Sequence, residues 1–574
     1  MEAYTIFLSL LAIYIAALAG IGLYSSRGQR SVTDFWLAGR ELGTVNIGFS
    51  AAASWITASA LLLSTGLFLL IGVGSIWVWV FPNIAGLVII AAISGRIKNI
   101  PALTQPELME IRYDPMIRAP VAIAVTIMMV LFSVTDFIGF RLVMETFFGV
   151  EPAFAVAIMA ASVAFYVSVG GFRAVAWTDL LQFILLAGLA LYVAALSMGL
   201  TMKVGVSLPD AAIGLGAGWW DIFAMGGLMG ALVFQLALLP GWVAEQDPWQ
   251  KIWAARDERS ARRGLLLGAG LLALVYLACL VTAICLSVLY PRPTGETEAE
   301  MLYLRVISDN ASPLLLALLT IGFAAASMSC TDTFATSGAS CISRDLVQRH
   351  IRPDATMKEM MIINRALVIG MIAASALIAL NVESIMDAVI IATVIGTTSY
   401  FFPIIGGLYW RRATKWGALA ALIGGGMTQI LLIAYELFWL GQPLDSISPL
   451  LTEHGVLAGL TISAILFVCV SLATPRTEDL RLAPFFPDVA ERVFRMGLPS
   501  VDRGSPRYGE VLSRIGEKAA GERVHLNLSL DIVPVRADGA AMPERIEWDA
   551  FVRHLEELHP LWFTPTAVSY THLT

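Results

Sequence analysis

The chain has 574 residues, of which 57% are hydrophobic and only 14% charged, and its mean hydropathy is +0.76. A water-soluble protein of this length needs more charge to cover its surface, so the composition points to a membrane protein in contact with a lipid bilayer. The net charge of −7 comes with no basic stripe or nucleic-acid-reading module, so nothing supports binding to nucleic acid.

A membrane-crossing helix needs roughly 20 apolar residues. Apolar runs of that size occur near 5–24, 42–71, 72–95, 120–135, 153–169, 180–200, 222–244, 264–290, 311–331, 366–381, 388–410, 416–435 and 455–474. They predict an all-α polytopic protein of about thirteen spans. The first run lacks a basic segment before it and a cleavage site after it, so it reads as a retained span.

The intervening loops alternate in charge. One set carries Arg27, Arg30 and Arg40, then Arg96, Lys98, Arg112 and Arg118, then Arg173. The same set continues with Lys251, Arg256, Arg259, Arg262 and Arg263, then Arg344, Arg349, Arg352 and Lys358, then Arg411, Arg412 and Lys415. The other set has only Lys203, Arg292 and Arg305. Basic residues concentrate on the cytoplasmic side, so the N-terminus is expected outside and the C-terminus inside.

Within the spans, in chain order, the stretch from Ser50 to Ala60 is small and polar where a lipid-facing helix is rich in Leu and Ile. Asp136 and Arg141 share the fourth span, where charges are costly and each is a functional candidate. Asp136 and Arg141 form a structural pair, or Arg141 snorkels to the outer interface, or Arg141 contacts solute, where its fork suits a carboxylate. Leu239-Pro240-Gly241-Trp242 is expected to break the seventh span. Interrupted helices at corresponding places in two halves point to a transporter site. Small residues also mark ordinary helix packing, and that alternative stays open. A hydroxyl-rich stretch, Ala326 to Thr333, ends in Asp332 and Thr333 and offers oxygen ligands for a hard cation, or interhelical hydrogen bonds.

The five cysteines all fall in apolar segments and read as buried hydrophobes, neither a disulfide framework nor a zinc site. From about Pro475 the composition becomes charged and soluble, which divides the chain into a transmembrane part, 1–474, and a cytoplasmic tail, 475–574. The alternating stretch 524–530 is expected as a strand, and 548–558 has a helical pattern. The last residues, Ala567 to Thr574, resemble translated adaptor sequence, so the natural C-terminus is expected to differ.

Five ordered motif blocks carry a resemblance. They are Asp34-Phe35-Trp36-Leu37-Ala38-Gly39-Arg40; Gly170-Gly171-Phe172-Arg173 through Trp177-Thr178-Asp179 with Gln182; Glu245-Gln246 with Gln250-Lys251-Ile252-Trp253; Met328-Ser329; and Phe402-Pro403 with Gly407-Leu408-Tyr409-Trp410. With these, the chain resembles the sodium/solute symporter family, which includes sodium/proline, sodium/pantothenate and sodium/glucose transporters. The resemblance implies a LeuT-like fold, with inverted five-helix repeats at about 46–200 and 222–410, one helix before them and two after.

It also implies Na⁺ as coupling ion. Carried over by position, the Na⁺ site takes carbonyls from Ala53, Ile56 and Ala326, with Ser329 and Cys330 at the hydroxyl positions. A second cation site is implied around Asp179, Ser329, Asp332 and Thr333, with a structural tether as the other role for Asp179. Cys330 departs from the family pattern, because a thiol is a soft ligand for Na⁺. Coupling to protons is therefore the alternative. Trp55 stands where the proline branch has an Asp. Ala60 and Ile76 stand where sugar transporters have Gln and Glu, which disfavours sugar.

The expected function is cation-coupled import of a small organic solute, an amino acid or carboxylate, across the inner membrane. Expected solute contacts are Ser54, Trp55, Thr57, Trp77, Asp136, Arg141, Glu245 and Gln246. A transporter-derived sensor with a signalling tail is a second class. A channel lacks a repeated filter or charge ring, and an enzyme lacks a nucleophile–base pair or metal cluster in the loops.

Overall fold

The computed structural model describes residues 2–26, 36–100, 102–352, 355, 357–382, 384–441 and 453–482, a few positions between 484 and 489, and the segments Val524–Leu526 and Phe563–Pro565. The helices are α1 (Glu2–Ser26), α2 (Thr44–Trp55), α3 (Ala58–Ile71), α4 (Val80–Lys98), α5 (Gln105–Arg112) and α6 (Pro115–Phe148). They continue as α7 (Pro152–Lys203), α8 (Leu208–Gly214), α9 (Gly227–Ala244), α10 (Gln246–Ala254), α11 (Glu258–Leu289) and α12 (Glu296–Asn310). The last are α13 (Pro313–Cys341), α14 (Met357–Ala379), α15 (Ile385–Ile395), α16 (Phe401–Tyr409), α17 (Lys415–Phe438) and α18 (Glu453–Ala473).

Among the described residues eleven helices are long and apolar enough to cross a membrane, and the bent pair α2–α3 makes a twelfth. The stretch expected as a span at 153–169 is a shorter apolar helix, Pro152–Val167. It opens α7, which continues as the apolar span Phe172–Lys203.

The first interruption falls inside the small, polar stretch. Ile56 and Thr57 are extended, and α2 and α3 meet there at 63°. Thr57 restarts the helix, its hydroxyl accepting from the Ala60 amide at 3.0 Å. Small residues bring α11 close alongside α2. A Cβ on Gly48 would lie 2.9 Å from the carbonyl of Gly264, so glycine is required for this approach.

The second interruption is not where Pro240 predicts it. Helix α9 runs through Pro240 to Ala244, and the chain is extended only at Glu245, before α10. In the turn before the proline, Thr397 donates to the carbonyl of Ala237 at 2.9 Å and ties α9 to its neighbour. Gly241 serves packing, not bending. A Cβ there would run into the Thr393 carbonyl and lie 2.8 Å from the Thr397 hydroxyl.

Helix α13 packs against α6, α7 and α2 and is buried along most of its length. Several arginines expected in solvated loops are buried instead. Arg118 pairs with Glu110 at 2.5 Å and Asp345 at 2.6 Å, and Arg344 pairs with Glu107 at 2.9 Å. Burial pushes Glu107 up, but Arg344, Arg118 and the Leu103 amide outweigh it and hold the carboxyl below its usual range. Arg112 donates to the carbonyls of Gly407 and Trp410 at 2.8 and 2.9 Å. Four cysteines are buried, whereas Cys469 on α18 is exposed. In the tail, Val524–Leu526 pairs antiparallel with Phe563–Pro565; the rest of 527–530 and the pattern at 548–558 lie outside the described residues.

Candidate functional site

The bend at Ile56–Thr57 takes the last carbonyls of α2 out of regular helical pairing, and α13 crosses this point. Cys330 on α13 places its thiol 3.0 Å from the carbonyl oxygen of Ala53 and 3.9 Å from that of Ile56. Ala326 lies one helical turn earlier on α13 and is buried. Ser329 donates to Asp179 Oδ1 at 2.6 Å, and Ser50 on α2 donates to Asp179 Oδ2 at 2.5 Å. Asp179 thus bridges α2, α7 and α13. Asp332 turns to α7, where Tyr166 donates to it at 2.5 Å, and Thr333 donates to its other oxygen at 3.3 Å. The eight residues expected around the two cation positions therefore converge where α2, α7 and α13 meet.

The expected solute contacts divide. Ser54, Trp55 and Thr57 line a small cavity at the bend, about 20 Å³, which has room for about one water. Its aromatic wall comes from Trp55, Trp79, Phe132, Trp242 and Phe334, and its polar side includes Ser59 and Thr135. The rings of Trp55, Phe132 and Trp79 stand 5.0, 5.1 and 5.8 Å from that of Trp242. Asp136 adjoins Thr135 and accepts from Thr331 at 3.3 Å, while its Oδ1 has no partner.

Trp77 does not line this cavity. Its indole donates to the carbonyl of Ile222 at 2.8 Å, and its ring stacks on Phe223. Arg141 is not there either. It is buried and donates to the carbonyls of Ala379 and Val382 at 2.8 and 3.2 Å. The expectation of a carboxylate solute loses its residue. Gln246 accepts from the amide of Gln105 at 3.0 Å. Glu245 is fully buried at the second interruption with neither carboxyl oxygen hydrogen-bonded.

Sequence reasoning missed a buried pair. Lys251, expected in a solvated loop, is completely buried and bonds Asp247 at 2.7 Å, Ser54 Oγ at 2.6 Å and the Ser50 carbonyl at 3.0 Å. The i, i+4 spacing of Asp247 and Lys251 was visible, and the large apolar side chains beside them, Trp249, Ile252 and Trp253, were the signal of burial. The ammonium ties α10 to the end of α2, one turn before Ala53. The aromatic partners Trp79, Phe132 and Trp242 had no sequence signal, since aromatics at helical spacing are usually core.

The sequence is 25% identical to the osmoregulated proline transporter OpuE of Bacillus subtilis over 81% of this chain and 94% of that protein. It is 26% identical to a sodium/glucose cotransporter of Vibrio parahaemolyticus over 82% of this chain and 90% of that protein. The fold matches a Na⁺-coupled sialic acid symporter solved in a substrate-bound outward-open state, with a TM-score of 0.66 at 18% identity, over 83% of this chain and 99% of that one. The LeuT-like architecture is thereby established. These proteins are transporters, not enzymes. A family model for sodium:solute symporters matches residues 35–425, well over half of the chain, and the protein is a multi-pass membrane transporter belonging to the sodium:solute symporter family.

Proposed function

We propose that the protein imports a small organic solute together with a cation, Na⁺ in the first instance, by alternating access. The observation that carries this is the meeting of α13 with the bend: the Cys330 thiol lies 3.0 Å from the Ala53 carbonyl and 3.9 Å from that of Ile56. Carbonyls of Ala53, Ile56 and Ala326 and the Ser329 hydroxyl supply the oxygen ligands a hard cation requires. A cation held there joins α13 to α2 and favours the conformation that also takes up solute, which is the condition for coupling. Asp179, Asp332 and Thr333 form the second cation position. Ser54, Trp55 and Thr57 face the solute, with Asp136, Glu245 and Gln246 around them. The arrangement is one of thirteen spans, N-terminus outside, with 1–474 as the transport unit and 475–574 as cytoplasmic tail.

Coupling to H⁺ is a second reading, favoured by one observation: the ligand expected as a hydroxyl is a thiol, and it donates to the Ala53 carbonyl. Purified protein in liposomes, with inward Na⁺ and H⁺ gradients imposed separately, distinguishes the two. Solute uptake driven by the Na⁺ gradient alone is expected. Uptake driven by the H⁺ gradient alone replaces Na⁺ with protons, and uptake indifferent to both ends the symport reading.

A further inference from the structure

Helices α4 and α11 pack side by side. Where α4 finishes and α11 begins they leave a cavity of about 300 Å³. That is roughly ten times the volume of one water, room for a phosphodiester headgroup. Ala92, Ser94 and Gly95 keep the α4 side open, and Arg96, Glu258 and Arg262 are the charged groups of the lining. Arg262 is exposed and makes no hydrogen bond or ion pair with any described residue, although Glu258 stands four residues before it, a spacing that allows a pair. Instead the Glu258 carboxylate packs against Gly95, where a Cβ would collide with it. Arg96 uses one of its five N–H groups on the carbonyl of Leu408 at 2.9 Å, and its guanidinium lies 4.4 Å from the centre of the Tyr409 ring. The arginines therefore outnumber the acid and keep donors free. Arg259 and Arg263, both exposed, add positive charge beside them on α11.

The cavity is continuous with a lipid-facing surface. On α4, Ala92 is exposed, and Val88 and Ile89 are exposed one turn deeper in the span. On α11, Leu266 follows Arg262 by one turn, and Leu274 and Leu277 continue the exposed side. Both helices are long and apolar enough to cross a bilayer, so these side chains meet hydrocarbon. Two apolar stripes thus run from the charged cavity toward the middle of the membrane. A soluble anion makes no use of them, whereas acyl chains do. Basic pockets between spanning helices are where anionic lipid headgroups bind.

We propose that this cavity binds one anionic phospholipid, with its phosphodiester between Arg96 and Arg262 and its acyl chains along Val88 and Leu266. The Glu258 carboxylate accepts from headgroup hydroxyls, which a glycerol headgroup supplies and a choline headgroup lacks. The site is on the outer surface of the molecule, apart from the bend at Ile56–Thr57, and is independent of which solute or ion is carried. In the orientation proposed above it belongs to the cytoplasmic leaflet.

The test is binding of dioleoyl phosphatidylglycerol to the purified, delipidated full-length protein in detergent, read by native mass spectrometry. Dioleoyl phosphatidylcholine, dioleoyl phosphatidylethanolamine and glycerol 3-phosphate are compared with it. One phosphatidylglycerol is expected to bind about fivefold more tightly than either zwitterionic lipid, the scale of one basic side chain at an anionic surface. Arg262→Gln is expected to remove that advantage, and since Arg262 holds no other described residue in place, the variant tests the lipid and not the fold. Ala92→Trp, which fills the groove without changing charge, should weaken phosphatidylglycerol to a similar degree. Arg352→Gln, at an exposed position paired with Glu359 and outside the cavity, should leave binding unchanged. An effect of Arg352→Gln as large as that of Arg262→Gln means diffuse attraction to a basic face and overturns the proposal. Equal binding of either zwitterionic lipid overturns it too. Glycerol 3-phosphate bound as tightly as the lipid makes this a site for soluble phosphate, which also overturns it. So does binding of no lipid, or binding that neither cavity substitution weakens.

Discussion

The first interruption, at Ile56–Thr57, bends the chain by 63° and frees backbone oxygens, whereas the second, at Glu245, breaks the hydrogen-bond ladder between α9 and α10 and brings in charge. The first is built from small and hydroxyl-bearing residues, which let other helices approach and leave carbonyls accessible. The second keeps its proline inside a helix and places Glu245, Gln246, Asp247 and Lys251 in sequence just beyond. The comparison teaches that repeats related by fold need not share site chemistry. Carbonyl and hydroxyl oxygens suit a small hard cation, and buried carboxyls suit an internal ammonium. Lys251 connects the two, since its ammonium bonds both the second interruption and the end of α2.

Removing that connection should have the largest effect. Lys251→Met leaves Asp247 buried and unpaired, and breaking such a pair costs about 3–5 kcal/mol. Thermal unfolding in detergent should drop accordingly, and adding Asp247→Leu should recover most of the loss. A single variant that melts like the wild type would show that the two interruptions are not held together by this pair.

The side of the first interruption where α3 meets α12 offers a pH test. Glu300 on α12, which packs on α3, is pushed up from 4.5 to about 8, by burial first and by Glu296 second. Between those values the folded state holds a proton that the unfolded state has released, so stability falls as pH rises from 4.5 to 8 and levels off above. The hydrogen-exchange protection of α12, corrected for the intrinsic pH dependence of exchange, should fall over this window in the wild type and stay level in Glu300→Gln. An unchanged slope would show that another group governs docking on α3.

Packing at the second interruption is the next test. Gly241→Ala drives a methyl into the carbonyl of Thr393 and should cost about 1–3 kcal/mol. A neutral result would mean that α9 is free to move away from α15. The smallest effect is expected at the first interruption itself. Cys330→Ser replaces a soft donor by a hard one, and the Na⁺ concentration for half-maximal uptake should fall about fivefold, the scale of one net polar contact. An unchanged value would remove Cys330 from the ion's ligands.

Much of this was legible because the bilayer imposes simple rules. Every span must be long and apolar, and a polar, small-residue stretch such as Ser50–Ala60 violates that rule visibly. Motif blocks around Asp179, Glu245 and Ser329 were legible as family resemblance. What misled was local chemistry taken one residue at a time. Pro240 suggested a break because it lacks an amide proton, but α9 continues through it to Ala244, held by packing and by the Thr397 bond to the Ala237 carbonyl. Arg141 suggested solute contact, yet carbonyls at the end of α14 hold it. Lys251 looked like a loop charge, because its three acceptors come from Ser50, Ser54 and Asp247 and only the fold assembles them.

The sequence by itself determined the membrane class, the placement of most spans and the polar interruption of the first core helix, since hydropathy and small-residue content act locally along the chain. Only the tertiary structure decided which side chains meet. Whether a buried charge finds partners depends on neighbours hundreds of residues away. That separates Asp179, bonded by Ser50 and Ser329, from Glu245, whose two carboxyl oxygens are buried without such hydroxyl partners.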